Sequence, residues 1–376
     1  MVGSAPLNEF VVKVASRCNL NCDYCYEYNL GDNSWKVQPK VIAPPTLERL
    51  GKVVAEHAIK HDLREVFISL HGGEPLLLGA SGLSDVCRIL RHTTEDACEL
   101  VISLQTNGTL LSKRVIDVIT EHRISVSISI DGGRAAHEKH RVDRRGRGSF
   151  DRVLRGITLM QDHAPKNLTG LLSVIDVQSD PSEIFDFVAA FGVSELDFLL
   201  PHYHWENPPP RPNNDRIAYG RWYWRLYRDW VSDKHPGTSI RFLANIVSQF
   251  AGGSSLYEAM TLAPVTLAVI GTDGAIEAVD SIKATGTGLQ KLGTNIWDAD
   301  LDALLDFPLL KVRQSGEGQL CAECRGCRFK RECAGGYFPH RWNRETDFNS
   351  PSVYCDDLYW LLTKIAGHLR SNAATS

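Results

Sequence analysis

A sixfold alternation of strand and helix signals constrains this 376-residue chain more than any other feature. Short apolar runs rich in β-branched residues stand at 10–16, 66–70, 100–105, 126–130, 171–177 and 196–200. Each fits a strand buried on both faces. Longer stretches with helical spacing separate them. The first follows Pro44-Pro45, with Thr46 as the expected N-cap and Leu47, Leu50, Val54 and Ala58 on one stripe. Others are expected over 82–92, 112–122, 149–162 and 182–191. Strand and helix in repeated alternation specify a parallel α/β sheet, either open or partly closed into a barrel. In both cases the reactive groups belong at the C-terminal ends of the strands.

The pattern changes after residue 201. His202-Tyr203-His204-Trp205 leads into Pro208, Pro209, Pro210 and Pro212, a stiff linker that cannot continue a helix or a central strand. An aromatic helix is expected over 214–233, holding Trp222, Tyr223, Trp224, Tyr227 and Trp230. Such a stripe is more often core than the wall of a binding mouth. Runs at 265–270 and 275–279 flank Gly271-Thr272-Asp273-Gly274 and read as a β-hairpin. We expect one domain over 1–235 and a second over 236–376.

The chain begins without a basic segment followed by an apolar one, so no secretory signal is expected. That places the protein in the reducing cytoplasm, where its 10 cysteines suggest metal rather than disulfides. Three of them, Cys18, Cys22 and Cys25, follow the first strand at C-x3-C-x2-C spacing. Three thiolates on a four-iron cubane leave one iron open for substrate. A zinc site is the alternative, but no His or Cys follows within the next 30 residues. A second group, Cys321, Cys324, Cys327, Cys333 and Cys355, reads as another cluster site or as a zinc ribbon. Cys87 and Cys98 have no partner at metal spacing and read as packing residues. A net charge of −4 with no basic face argues against a nucleic-acid partner. The basic run 141–147 reads as a solvated loop or a small-molecule anchor. No apolar segment reaches the ~18 residues of a membrane span.

Taken together, these motifs resemble the radical S-adenosylmethionine (SAM) superfamily. The resemblance implies a partial (β/α)6 TIM-like barrel with a small C-terminal iron–sulfur domain. It implies a [4Fe-4S] cluster on Cys18, Cys22 and Cys25 whose open iron binds SAM, and reductive cleavage of SAM to a 5′-deoxyadenosyl radical. Gly72-Gly73-Glu74-Pro75, after the second strand, resembles the motif that contacts the SAM amino group. Glycines there let the backbone approach a ligand. Asn107 at the end of the third strand, Ser129 at the end of the fourth, Tyr24 in the cluster loop and Arg141 complete the expected SAM contacts. Arg144 and Arg152 compete with Arg141 for the SAM carboxylate.

The C-terminal cysteines resemble the SPASM extension of peptide-modifying members. Cys324, Cys327, Cys333 and Cys355 match one auxiliary [4Fe-4S] cluster. Tyr337 replaces a cysteine of the pattern, and the hairpin has Val265 or Thr266 and Val279 where two further ligands would stand, so the second auxiliary cluster is expected to be lost. Cys321 could replace Cys324 or Cys355, or be a spare thiol. Asp280 matches an aspartate that serves as a base in the sulfatase-maturating relatives. Trp35, the segments His137-Glu138-Lys139-His140-Arg141 and Asp280-Ser281-Ile282-Lys283, and Asn349-Ser350-Pro351-Ser352-Val353-Tyr354-Cys355 are similar to the FxsB-type maturases. That subgroup joins an aromatic ring carbon to the β-carbon of a nearby residue in a ribosomal precursor peptide, forming a cyclophane. The implied partners are the precursor peptide and a one-electron donor such as flavodoxin or ferredoxin. No segment reads as a winged-helix leader-binding module. Two other outcomes stay open: formylglycine or thioether formation by the same radical, and a zinc-bearing peptide-binding protein.

Overall fold

A computed structural model describes residues 5–255, 257–298 and 300–375. The chain divides into two compact units, and neither is continuous in sequence. The first comprises Met1–Ile130, His137–Gly170 and Val265–Gln314; the second comprises Asp131–Ala136, Leu171–Pro264 and Ser315–Ser376. The break expected at residue 235 falls inside the second unit.

Four strand–helix repeats open the first unit. They are β1 (Glu9–Ala15), α1 (Pro44–His61), β2 (Glu65–Gly72), α2 (Gly79–Thr94), β3 (Glu99–Thr106), α3 (Lys113–Glu121) and β4 (Ser125–Ser129), followed by α4 (Arg134–His140) and α5 (Phe150–His163). β5 (Leu168–Val174) carries the chain into the second unit. There it forms α6 (Pro181–Ala189), β6 (Glu195–Leu199), α7 (Ala218–Val231), β7 (Ser239–Ile240) and α8 (Arg241–Phe250). The chain returns to the first unit for β8 (Leu267–Ile270), β9 (Ala275–Glu277), β10 (Lys291–Asn295) and α9 (Pro308–Arg313). It ends in the second unit with α10 (Ala322–Arg325), α11 (Lys330–Cys333) and α12 (Cys355–Thr375).

In the first unit the strand order is β10-β9-β8-β1-β2-β3-β4. β1 to β4 run parallel, as helical crossovers require, with Val12 opposite Leu70 and Leu70 opposite Leu104. β8 joins β1 in parallel, and β9 and β10 complete an antiparallel edge. The expected hairpin therefore forms, and it is anchored to the first strand. Register slips between Lys13 and Ala15, where β1 leads into the cysteine loop.

Two local expectations need correction. β1 is buried on both faces over Val12–Ala15, but β2 and β3 are not. In β2, Val66, Ile68 and Leu70 are at most 1% exposed, whereas Phe67 is 41% exposed. β3 alternates in the same way, with Leu100, Ile102 and Leu104 buried and Ser103 and Gln105 half-buried. Helices cover one face, and the other carries small polar side chains toward the strand ends. Nor does Thr46 cap α1. Ala43 holds the N-cap position, Pro44 and Pro45 fill the first helical turn, and Thr46 is buried within it. Prolines suit that turn because its N–H groups need no intrahelical partner.

In the second unit, α7 turns its aromatic stripe inward. Tyr219, Trp222, Tyr223 and Tyr227 are all at most 3% exposed. The helix packs on α12 and α6. Gly220 allows the closest approach, since a Cβ there would lie 2.6 Å from the Asp357 carbonyl oxygen. Asp357 accepts from the Gly220 N–H at 2.9 Å and pairs with Arg211 at 2.6 Å. The stripe is core, as its composition indicates. Among the described residues, no helix is long and apolar enough to cross a membrane.

Candidate active site

The cysteine loop leaves the C-terminal end of β1. Cys22 is buried, and Cys18 and Cys25 are half-buried. The loop is held by its own backbone: Cys25 N–H donates to Cys22 O at 3.1 Å, and Asn29 Nδ2 donates to the same carbonyl at 2.7 Å. Leu20 N–H donates to Cys18 Sγ at 3.4 Å. Burial pushes the Cys18 thiol up to about 12, with Glu74 adding to the effect. Burial and the neighbouring Cys22 likewise raise Cys25. Raised thiols at Cys18 and Cys25, beside the buried Cys22, fit a site where a bound cation would stabilise the thiolates.

The strand ends beyond β1 supply the other expected residues. Gly72 and Gly73 face protein backbone rather than open space. A Cβ on Gly72 would lie 2.2 Å from Ala15 O, and one on Gly73 would lie 2.3 Å from Arg17 O. Their small size thus serves the seating of the cysteine loop, a different reason from the ligand approach expected. Glu74 is 1% exposed and spends both oxygens inside the protein. Oε1 accepts from Thr106 Oγ1 at 2.6 Å and from Leu76 N–H at 3.0 Å; Oε2 accepts from Asn107 N–H at 2.8 Å. Asn107 in turn donates from Nδ2 to Asn19 Oδ1 at 2.9 Å and lies 3.8 Å from Cys18 Sγ. Glu74 therefore ties the end of β3 to the loop that carries Cys18. Ser129 Oγ accepts from Gln105 Nε2 at 2.9 Å. Arg141 is 6% exposed, and its guanidinium carbon lies 5.5 Å from the centre of the Tyr24 ring. The competing Arg144 lies over Trp35 instead, at 5.8 Å.

Asp280 begins the turn after β9 and sits in a buried ionic network. Tyr26 OH donates to its Oδ2 at 2.9 Å, Lys13 Nζ is 3.7 Å away, and His71 Nδ1 is 4.0 Å away. Lys13 also pairs with Glu27 at 2.5 Å and Glu277 at 3.2 Å. Lys283, 0% exposed, pairs with Glu27 at 3.1 Å, Glu277 at 3.3 Å and Asp32 at 3.9 Å. Burial opposes ionisation of Asp280, but Lys13, His71, Lys283 and the Tyr26 hydroxyl outweigh it and hold the carboxyl below its ordinary range. Lys13, Glu27, His71, Glu277 and Lys283 were not assigned from sequence. One signal was available: Lys13 interrupts the otherwise apolar run Phe10-Val11-Val12-Lys13-Val14.

In the second unit, Cys324, Cys327, Cys333 and Cys355 line one cavity of about 90 Å³, together with Phe329, Gly335, Ser352 and Tyr359. Cys321 is buried, does not line that cavity, and its thiol shares hydrogen bonds with Cys324 and Glu323. Burial pushes Cys333 up to about 12 and Cys355 up to about 11. Four cysteines lining one cavity fit a tetrathiolate cluster, and Cys321 lies outside that lining. Arg341 holds the surrounding loop, donating from Nη2 to Gly336 O at 2.9 Å and from Nη1 to Gln319 O at 3.3 Å. Tyr337, in the place of a further cysteine, meets the His340 and His202 rings at centroid distances of 5.3 Å and 5.8 Å. Val279, where the hairpin would supply a ligand, is buried beside Asp280.

Comparison with known proteins agrees with this geometry. Residues 12–188 match the model of the Radical SAM superfamily. The chain is 26% identical over 347 residues to a serine-type anaerobic sulfatase-maturating enzyme of Klebsiella aerogenes, covering 89% of this chain and 80% of that protein. It is 24% identical over 360 residues to a cysteine-type anaerobic sulfatase-maturating enzyme of Clostridium perfringens, covering 93% and 94%. Native anSMEcpe with bound AdoMet shares the fold, with a TM-score of 0.80, 22% identity, and coverage of 96% and 99%. Streptococcus suis SuiB bound to its precursor peptide SuiA superposes with a TM-score of 0.63 at 17% identity, covering 94% of this chain and 76% of that one.

Proposed function

We propose, from the premise that this chain belongs to the radical SAM superfamily, that it is a peptide maturase that joins an aromatic ring carbon to the β-carbon of a nearby residue in a ribosomal precursor. The observation that supports a proton-accepting maturase is Asp280, a half-buried carboxylate held below its ordinary range by Lys13 and Lys283 in the same unit as the Cys18/Cys22/Cys25 loop; the FxsB-like segments favour the crosslink. Forming such a bond removes one hydrogen atom from the β-carbon, then one proton and one electron from the ring. When bound, SAM and the clusters supply the hydrogen-abstracting radical and the electron acceptor.

The chain's own residues do the rest. Cys18, Cys22 and Cys25 hold the first [4Fe-4S] cluster, and Cys324, Cys327, Cys333 and Cys355 hold the auxiliary one. Tyr24, Gly72, Gly73, Glu74, Asn107, Ser129 and Arg141 bind or frame SAM, with Glu74 acting by fixing Asn107 beside Cys18. Arg141, stacked near Tyr24, offers a guanidinium to a carboxylate. Asp280 accepts the ring proton, and Tyr26 orients it. An external flavodoxin or ferredoxin supplies electrons, and the unbridged cysteines suit the cytoplasm.

The sulfatase-maturating relatives favour a second reading, in which the same radical and base oxidise a Ser or Cys to formylglycine. One assay separates the two. With a candidate precursor peptide, the crosslink reading predicts loss of two hydrogens per bond, no fragmentation between the joined residues and no hydrazide-reactive aldehyde. A hydrazide-trapped aldehyde would establish formylglycine instead. In both readings Asp280→Asn should still release 5′-deoxyadenosine while product yield falls by about 10²-fold or more. Undiminished product from that variant would remove Asp280 from the mechanism.

A further inference from the structure

The C-terminal end of α1 carries two histidines one turn apart, His57 and His61, whose ring centroids are 4.5 Å apart. Residues at i and i+4 share a helix face. Asp302 comes from the turn before α9 and meets both: its Oδ1 lies 2.7 Å from His61 Nε2 and 3.3 Å from His57 Nδ1. One nitrogen from each histidine and one oxygen from Asp302 all lie within 4.8 Å of one another. Lys60 takes the other carboxylate oxygen, Oδ2, at 2.5 Å.

The tautomer of His57 gives this group a direction. His57 is 5% exposed, and its Nε2 lies 2.9 Å from the carbonyl oxygen of Leu7. A carbonyl only accepts, so Nε2 carries the hydrogen and a neutral ring leaves a lone pair on Nδ1. In that neutral ring the Nδ1 lone pair faces a carboxylate oxygen at 3.3 Å, two acceptors that a cation would bridge. A backbone carbonyl fixing the distal N–H of a ligating histidine is the usual outer partner of a metal-bound imidazole.

We propose that His57 Nδ1, His61 Nε2 and Asp302 Oδ1 bind one divalent transition-metal ion, with zinc as the expected occupant. Two imidazoles and one carboxylate suit such an ion, and water completes the coordination. The role is structural. The site joins Leu7, just before β1, to the end of α1, just before β2, and to the 301–302 turn. That is the N-terminal edge of the strands, opposite the edge where the cysteine loop leaves β1, and that edge of an α/β barrel serves stability.

The test uses the full protein with its clusters reconstituted anaerobically. Zinc is added, excess is removed, and zinc, iron and acid-labile sulfide are measured. Wild type should retain one zinc per chain, and its unfolding midpoint should rise with zinc and fall back with a chelator. X-ray absorption at the zinc edge should show nitrogen and oxygen neighbours at about 2.0–2.2 Å. His61→Ala and the near-isosteric Asp302→Asn should each weaken zinc binding by about 100-fold or more while leaving iron and sulfide unchanged. Sulfur neighbours at the zinc edge, no retained zinc in wild type, or zinc held by both variants as tightly as by wild type would overturn the assignment.

Discussion

At the scale of single residues, the buried lysines carry the largest energetic consequence. Lys13 and Lys283 neutralise Glu27, Glu277 and Asp280 where water cannot screen them. Lys13→Met removes one ammonium and leaves its carboxylates buried, so it should cost about 3–5 kcal/mol. The pH dependence follows from two signs. Burial lowers the Lys13 pKa, but Glu27, Glu277 and Asp280 raise it well above 10.5, so its contribution is complete below that value and fades as pH rises through the folded pKa. Asp280 is shifted below 3.8, so its contribution is present above that value and is lost as pH falls through the folded pKa. Between about pH 5 and 9 neither group titrates, and the wild-type minus Lys13→Met difference should stay constant. Anaerobic denaturant unfolding at pH 6 and pH 8 measures it; a difference that changes between them would report the His71 imidazole, 4.0 Å from Asp280. The grouping of Cys324, Cys327 and Cys333 was legible because they stand close together along the chain, and the more distant Cys355 lines the same cavity. The lysine network was not, because Lys13 and Glu277 are 264 residues apart in sequence, and only folding pairs them.

At the scale of elements, strand positions were legible to within a few residues, since apolar runs of this length have little else to become. Which face they bury was misread. The alternation Phe67-Ile68-Ser69-Leu70-His71 already marks one open face, and the apolar count hid it. The short strands β7 and β10 carried no comparable signal. In the cysteine-rich segment, Ala334 ends α11 in the left-handed region at φ 49°. A side chain there is strained, whereas glycine is not. Ala334→Gly should therefore stabilise the second unit by about 1 kcal/mol without changing iron content. Thermal unfolding alongside iron analysis checks this. A lower midpoint would mean that the alanine methyl makes a contact worth more than the strain.

For the whole molecule, chain order and spatial order part company. The segment Val265–Gln314 belongs with the first unit because β8 pairs with β1, and this brings Asp280 to the side of the Cys18 loop. Sequence alone placed that segment with the C-terminal cysteines, because linear proximity was the only guide to it. The radical SAM resemblance, by contrast, was legible early, since the C-x3-C-x2-C cysteines and the strand-end motifs follow one another within residues 12–188, which match the superfamily model. The central claim is that two separate cysteine sets hold two cubane clusters. Iron and acid-labile sulfide per chain, measured after anaerobic reconstitution in wild type and in the triple Cys18→Ala, Cys22→Ala, Cys25→Ala variant, test it most directly. Two clusters predict roughly eight irons with matching sulfide in wild type, and roughly four with no 5′-deoxyadenosine formation in the variant. Little iron and sulfide in either protein, or SAM cleavage that persists in the variant, would contradict it.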